Sequence, residues 1–373
     1  MCKLQGSLRP AASELREMSS SLGRVRVSRD IVLNILECGD GQQDVVEDLS
    51  TDEDSSTQAT SDDATFSQTT TPDLDPLQHV QPQLVISSNR RQVLLATAPD
   101  TPNSDAVARH TMHFVIRVLK SWPRIMAAHD TAHLPPIIHR LQLTHGTPTP
   151  LANCYTLVKM WAAHTDGSRD LVQKTILQEV QRLIREHHTY NETDILAAAQ
   201  SLLVLLVILL LCVRQGPVVV HPADAQLLID VWDVKQHLAA TGLFLEQESD
   251  HALPAWEQWA IVSAKRRTIL GLHHLEWAWS VLHGYPTLTC FELGPLPAPA
   301  ARYLWRETDE ETWARLYHTW LRQWKDGSYK MGEFFDINPG ADLDARGEMW
   351  LAEADEFGMM LMAEVNTTGN EEL

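Results

Sequence analysis

The sequence predicts an all-α fold, a multi-helix globular body behind a disordered acidic N-terminal region. Three observations lead there. Apolar residues recur at helical rather than strand spacing along nearly all of the chain after residue 100. Proline, glycine and short polar caps interrupt that pattern at helix-length intervals. The acids are segregated: residues 40–75 hold eleven Asp or Glu and no Lys or Arg.

Residues 1–83 are expected to be mostly disordered. The stretch 39–76 is rich in Ser, Thr and Asp, poor in apolar side chains and charged with one sign, so burial cannot offset the entropy of ordering it. Residues 30–37 have the apolar content of a short strand or helix, and 84–97 read as a lead-in to the body. The helical body is placed at 84–366 and a tail at 367–373.

Val115, Val118, Leu119 and Trp122 trace a helix face until Pro123 perturbs it. The LPPIIH run from Leu134 reads as an extended connector. Pro150 then starts a helix with the face Leu151, Cys154, Tyr155, Val158 and Trp161, and Ser168 caps one with Val172, Ile176, Val180, Leu183 and Ile184 aligned. Thr193 or Asp194 opens a very apolar helix closed by Gly216 and Pro217. Pro222 opens another, with the face Leu227, Val231, Val234 and Leu238, stopped near Gly242. A long helical pattern covers 255–282, and a proline-rich loop covers 286–299. Trp313, Tyr317, Trp320 and Trp324 follow as an aromatic stripe, and a last helix is expected over 343–365. At least seven helices result.

Residues 195–213, ILAAAQSLLVLLVILLLCV, approach the length of a bilayer span. Gln200 and Ser201 interrupt the run, and Glu192 and Asp194 stand where an aromatic or basic belt would anchor a span. A buried core helix is therefore predicted, with no membrane partner.

The formal charge is −19, but residues 332–373 account for eleven acids against the single Arg346, and the chain outside the two acidic flanks holds 27 acids and 29 bases. A nearly neutral body argues against a surface that wraps nucleic acid, so DNA would be reached only indirectly. The five cysteines are far apart with no CxxC pair, which argues against a disulfide framework and for a reducing compartment. The first twenty residues hold no apolar stretch of signal-peptide length.

No P-loop, GxGxxG or GxSxG occurs, so no catalytic residue and no cofactor is assigned. His129 and His133, four apart with His139 following, make the best metal candidate, yet no further ligand has a characteristic spacing and no metal site is assigned. His110 with His113, and the doublets at His187 and His273, are weaker, because helix neighbours point in different directions. Lys265, Arg266 and Arg267 follow Trp256 and Trp259 at core-like spacing. The plain reading is an amphipathic helix whose cations pair with acids elsewhere. The alternative makes Trp256, Trp259, Lys265, Arg266 and Arg267, with Trp313, Tyr317, Trp320 and Trp324, an interaction surface if they are exposed.

Several of these runs carry a likeness. WEQWAIVSAKRRTIL from Trp256, ARHTMHFVIRVLKSWPRIM, LPPIIH, PLANCYTLVKMWAAH from Pro150, LPAPAARYLWRETDEETW and WLAEADEFGMMLM from Trp350 resemble the regulatory region of fungal zinc-cluster transcription factors. The likeness spans roughly residues 84–366. It implies a nuclear helical domain that helps control transcription, often of a clustered (secondary-)metabolic pathway in filamentous fungi, through a protein partner or homodimer and with room for a small-molecule effector. Two departures stand out. The family's usual glutamate near the RRT residues is Ser263 here, which removes an internal partner for Arg266 or Arg267. The family's DNA grip needs six closely spaced cysteines sharing two zinc ions, and before the body this sequence offers only Cys2 and Cys38. The expectation is a regulator that borrows its DNA contact, unless a cysteine-rich exon lies upstream. The rival reading is a non-canonical helical enzyme of the same kind of pathway.

Overall fold

Those periodic faces become helices in the computed structural model, which describes residues 106–128, 133–213, 222–285, 293–338 and 341–368. The chain divides into two units, Met1–Asp75 and Pro76–Leu373, and every described residue belongs to the second. The expectations for 30–37, 39–76 and 84–97, for His129 and for Gly216 with Pro217 lie outside the described residues.

The main helices are α1 (Ala106–Ala128), α2 (Thr149–Ala162), α3 (Arg169–Glu186), α4 (Glu192–Leu206), α5 (Pro222–Ala240), α6 (Trp256–His283), α7 (Glu310–Gln323), α8 (Ala345–Glu353) and α9 (Glu356–Thr368). Among the described residues there is no strand, only a bridge between Pro297 and Lys330. The fold is all-α.

Helix α4 lies at the centre, packed by α1, α2, α5 and α6, while α9 closes against α1. Its apolar character runs all round, as a helix enclosed on every side requires, and each residue from Ile195 to Leu211 is buried. The 21-residue stretch Glu192–Cys212 is long and apolar enough to cross a membrane, but 94% of its most apolar window is buried inside the protein. The two polar residues between Ile195 and Leu211 are satisfied internally. Gln200 donates to Ile137 O at 2.8 Å and exchanges hydrogen bonds with Gln142, and Ser201 Oγ donates to Ala197 O at 2.7 Å. Val207–Cys212 continues α4 as a π-helix. Where α6 crosses α4, Gly271 has no side chain for a reason: a Cβ there would lie 2.6 Å from Leu203 Cδ2.

Four local expectations change. Helix α1 runs on through Pro123, whose ring removes the amide that would bond Leu119 O, while Ser121 Oγ donates to Val118 O at 2.6 Å in the same turn. Ser168 precedes α3 but does not cap it with its side chain, because its hydroxyl turns back to Thr165 O. Helix α4 starts at Glu192 rather than at Thr193 or Asp194, with Asn191 as the cap: its side chain accepts from Asp194 N at 2.9 Å. The single last helix is two, α8 and α9, parted at Ala354 and Asp355. Asp355 Oδ1 accepts from Phe357 N and Gly358 N, so this side chain starts a new helix instead of continuing the old one.

Candidate functional site

The nine residues singled out by sequence meet around α6, and eight of them are buried. Trp320 is half-buried; Trp256, Trp259, Lys265, Arg266, Arg267, Trp313, Tyr317 and Trp324 are all below one-tenth exposed. The two aromatic groups cover one another. Trp313 of α7 stacks on Trp256 with ring centroids 6.3 Å apart and lies 5.2 Å from Trp259, and Tyr317 meets Trp259 edge-on at 6.2 Å. Trp324, just past α7, donates from Nε1 to Glu353 Oε2 at 3.1 Å. The condition for an interaction surface, exposure, is therefore not met, because a helix stripe and its partner stripe have satisfied each other's apolar area. The core reading holds.

Lys265, Arg266 and Arg267 leave α6 about 100° apart, so each enters a different part of the protein. Lys265 Nζ donates to Glu192 Oε1 at 2.6 Å, Thr241 O at 3.0 Å and Gly242 O at 3.3 Å. Arg266 forms a two-pronged pair with Glu248, at 3.1 and 2.5 Å, and donates from Nε to Leu243 O at 2.7 Å. Arg267 donates to Asp355 Oδ2 at 2.7 Å, Pro136 O at 3.2 Å and Ala300 O at 3.4 Å, with its guanidinium 4.2 Å above the Trp305 ring. The cations pair with acids elsewhere, as the plain reading of this helix has it. The acids that pair with Arg266 and Arg267 are Glu248 and Asp355.

His139 joins this node from the LPPIIH connector. It is buried edge-on to Trp305, with centroids 4.7 Å apart, and its Nδ1 accepts from Leu141 N. Burial first, and then the positive charge of Arg267, hold its pKa down to about 4, so the ring is neutral at neutral pH. His133 is exposed, and among the described residues no group of three His, Cys, Asp or Glu is arranged to hold a metal.

The His273 doublet corrects an expectation. Although helix neighbours diverge, His273 Nε2 and His274 Nδ1 contact the two oxygens of Glu364 on α9, at 3.0 Å for His273. Burial alone would raise that carboxyl's pKa, but the two imidazoles outweigh it and hold the group well below the carboxylate range. Cys154 is fully buried, and burial pushes its thiol far above its ordinary range, which disfavours the thiolate. Beside Arg266 and Arg267 lies a cavity of about 30 Å³, room for about two waters, and in this node Arg267 Nε and His139 Nε2 are buried without a hydrogen-bond partner.

Sequence reasoning had no signal for the partners, which lie 33 to 131 residues from Arg267. No family model, curated protein or solved structure matches the chain.

Proposed function

We propose that this chain is a transcription regulator of a fungal metabolite gene cluster, acting in the nucleus through a protein partner or a second copy and reaching DNA only indirectly. The observation that supports the reading is the convergence at Arg267. Its side chain joins four of the runs that carry the family likeness: the RRT helix, LPPIIH through Pro136, the APAARYLW run through Ala300 and Trp305, and WLAEADEF through Asp355. Residues that look alike in order along the chain are thus parts of one internal frame, which favours likeness of a whole domain over chance similarity of short words. The basic triplet that a DNA-binding reading would want is spent inside the protein.

The test has two arms. Deleting the gene changes the transcript levels of a set of genes, and the purified chain alone shows no sequence-specific binding to their promoters. Specific, salt-resistant binding by the chain alone would overturn the indirect route, and unaltered transcripts with a lost metabolite would replace the regulator by an enzyme. Sequencing transcripts across the 5′ end checks for a cysteine-rich exon, which would make the protein a direct DNA binder.

A further inference from the structure

On the side of α6 opposite the aromatic pair, a cleft of about 520 Å³ opens between the first turns of α4 and α6 and the 241–245 loop. Its size falls within the range of about 300–1,000 Å³ that suits small organic ligands, unlike the water-sized cavity beside Arg267. Leu196, Phe244 and Ile261 give it apolar walls. Gln142, Thr193 and Gln258 add neutral polar groups, and its charged equipment is one-sided. The one ammonium, Lys265, has three protons and gives them to three acceptors, Glu192, Thr241 O and Gly242 O, leaving none for a ligand. The lining carboxylates are two, Glu192 and Glu257, and both are exposed at the rim. Only one oxygen of Glu192 meets Lys265.

From this geometry we infer that the cleft binds a small amphipathic amine, its apolar ring against Phe244 and Ile261 and its ammonium between Glu192 and Glu257. An apolar body with one cation satisfies both halves of the lining, since the walls lose water contact and the excess carboxylate gains a counter-charge. The competing force is the first turn of α6, whose cap Ala255 supplies no side-chain acceptor and whose free amides favour an anion. The first turn of α4 has no such opening, because Asn191 caps it. The inference does not depend on the regulatory reading, and its outcome leaves that reading where it stands.

Three probes with the same indole ring separate these forces: tryptamine, the neutral tryptophol and indole-3-acetate, each titrated calorimetrically into the purified full-length chain. Tryptamine is expected to bind most tightly and indole-3-acetate least, with the gap shrinking as salt rises. Glu257→Gln should weaken tryptamine about two- to fivefold and leave tryptophol unchanged, the size expected for an exposed rim charge. Ile261→Arg, which fills the cleft with a long cation, should abolish binding of both, with thermal melting used to show that the variant is folded. Amide shifts of Gly242 and Ile261 on titration would place the ligand. Tighter binding of the acid than the amine, equal binding of all three, insensitivity to both substitutions, or no binding of any probe at millimolar concentration would each overturn the inference.

Discussion

Helices α4 and α6 are both buried along most of their length, yet they reach that state by opposite means. From Ile195 to Leu211, α4 offers almost nothing but aliphatic side chains, and its two polar residues turn back onto nearby backbone and a neighbouring glutamine. Helix α6 carries three consecutive cations into the interior and answers each with a different acid. Burial of the first kind follows from composition and is nearly indifferent to the partner's identity. Burial of the second kind depends on named partners, because an unpaired charge inside a protein costs far more than a missing methyl group.

The largest difference should appear on removing one charge. Arg267→Met leaves Asp355 buried and uncompensated, and urea unfolding should show a loss of about 3–5 kcal/mol. Adding Asp355→Asn, which keeps an acceptor for Phe357 N and Gly358 N, should return a good part of it. In α4 the compensation is steric rather than electrostatic. Leu203→Ala should cost about 3 kcal/mol through the cavity it leaves. It should also lessen the cost of Gly271→Ala, about 1–3 kcal/mol in the unaltered protein, because the methyl group that blocks the new Cβ is gone.

Acid should separate the two helices by a similar amount, since among the described residues only the region around α6 holds a buried imidazole with a depressed pKa. The folded His139 stays neutral down to about pH 4, while in the unfolded chain it takes up a proton below its ordinary 6.5. The unfolded state thus binds more protons across this window: the contribution is intact above pH 6.5 and shrinks by about 3 kcal/mol as pH falls to 4. His139→Asn keeps an acceptor for Leu141 N but cannot titrate, and should flatten that part of the stability profile. Glu364, held low by His273 and His274, extends acid sensitivity below its ordinary 4.5. The smallest effect belongs to the entry of α4, where Asn191→Ala should cost about 1 kcal/mol by leaving Asp194 N without its cap.

This contrast also sets how much could be read from sequence. The interior position of α4 was legible because uniform apolarity with two polar interruptions needs no partner to interpret, and the faces of α2 and α3 were legible from spacing alone. The break between α8 and α9 was hidden by spacing. Trp350, Ala354, Phe357 and Leu361, all buried, keep helical intervals straight through it, and only the side chain of Asp355 marks the new start. The candidate residues lie on α6, on α7 and, for Trp324, just past α7, but their burial against each other was not readable, because a stripe of Trp and Tyr looks the same facing a core or a partner. Nor was the cleft visible in advance, since its walls come from α4, α6 and a loop brought together only by folding.

The Arg267 node also bears on how the protein is made. Its ligands stand 131 residues before it, 33 after it and 88 after it, so the arginine leaves the ribosome with its first acceptor present and its counter-ion still unsynthesised. Helices α1 to α5 can collapse around an aliphatic centre during translation, and Lys265 and Arg266 find Glu192 and Glu248 already made, but Arg267 cannot pair until Asp355 has emerged. Contacts of such long sequence separation slow folding. A ribosome that stops short of Asp355 therefore releases not a slightly trimmed domain but one with a stranded guanidinium at its heart, a clear mark for quality control.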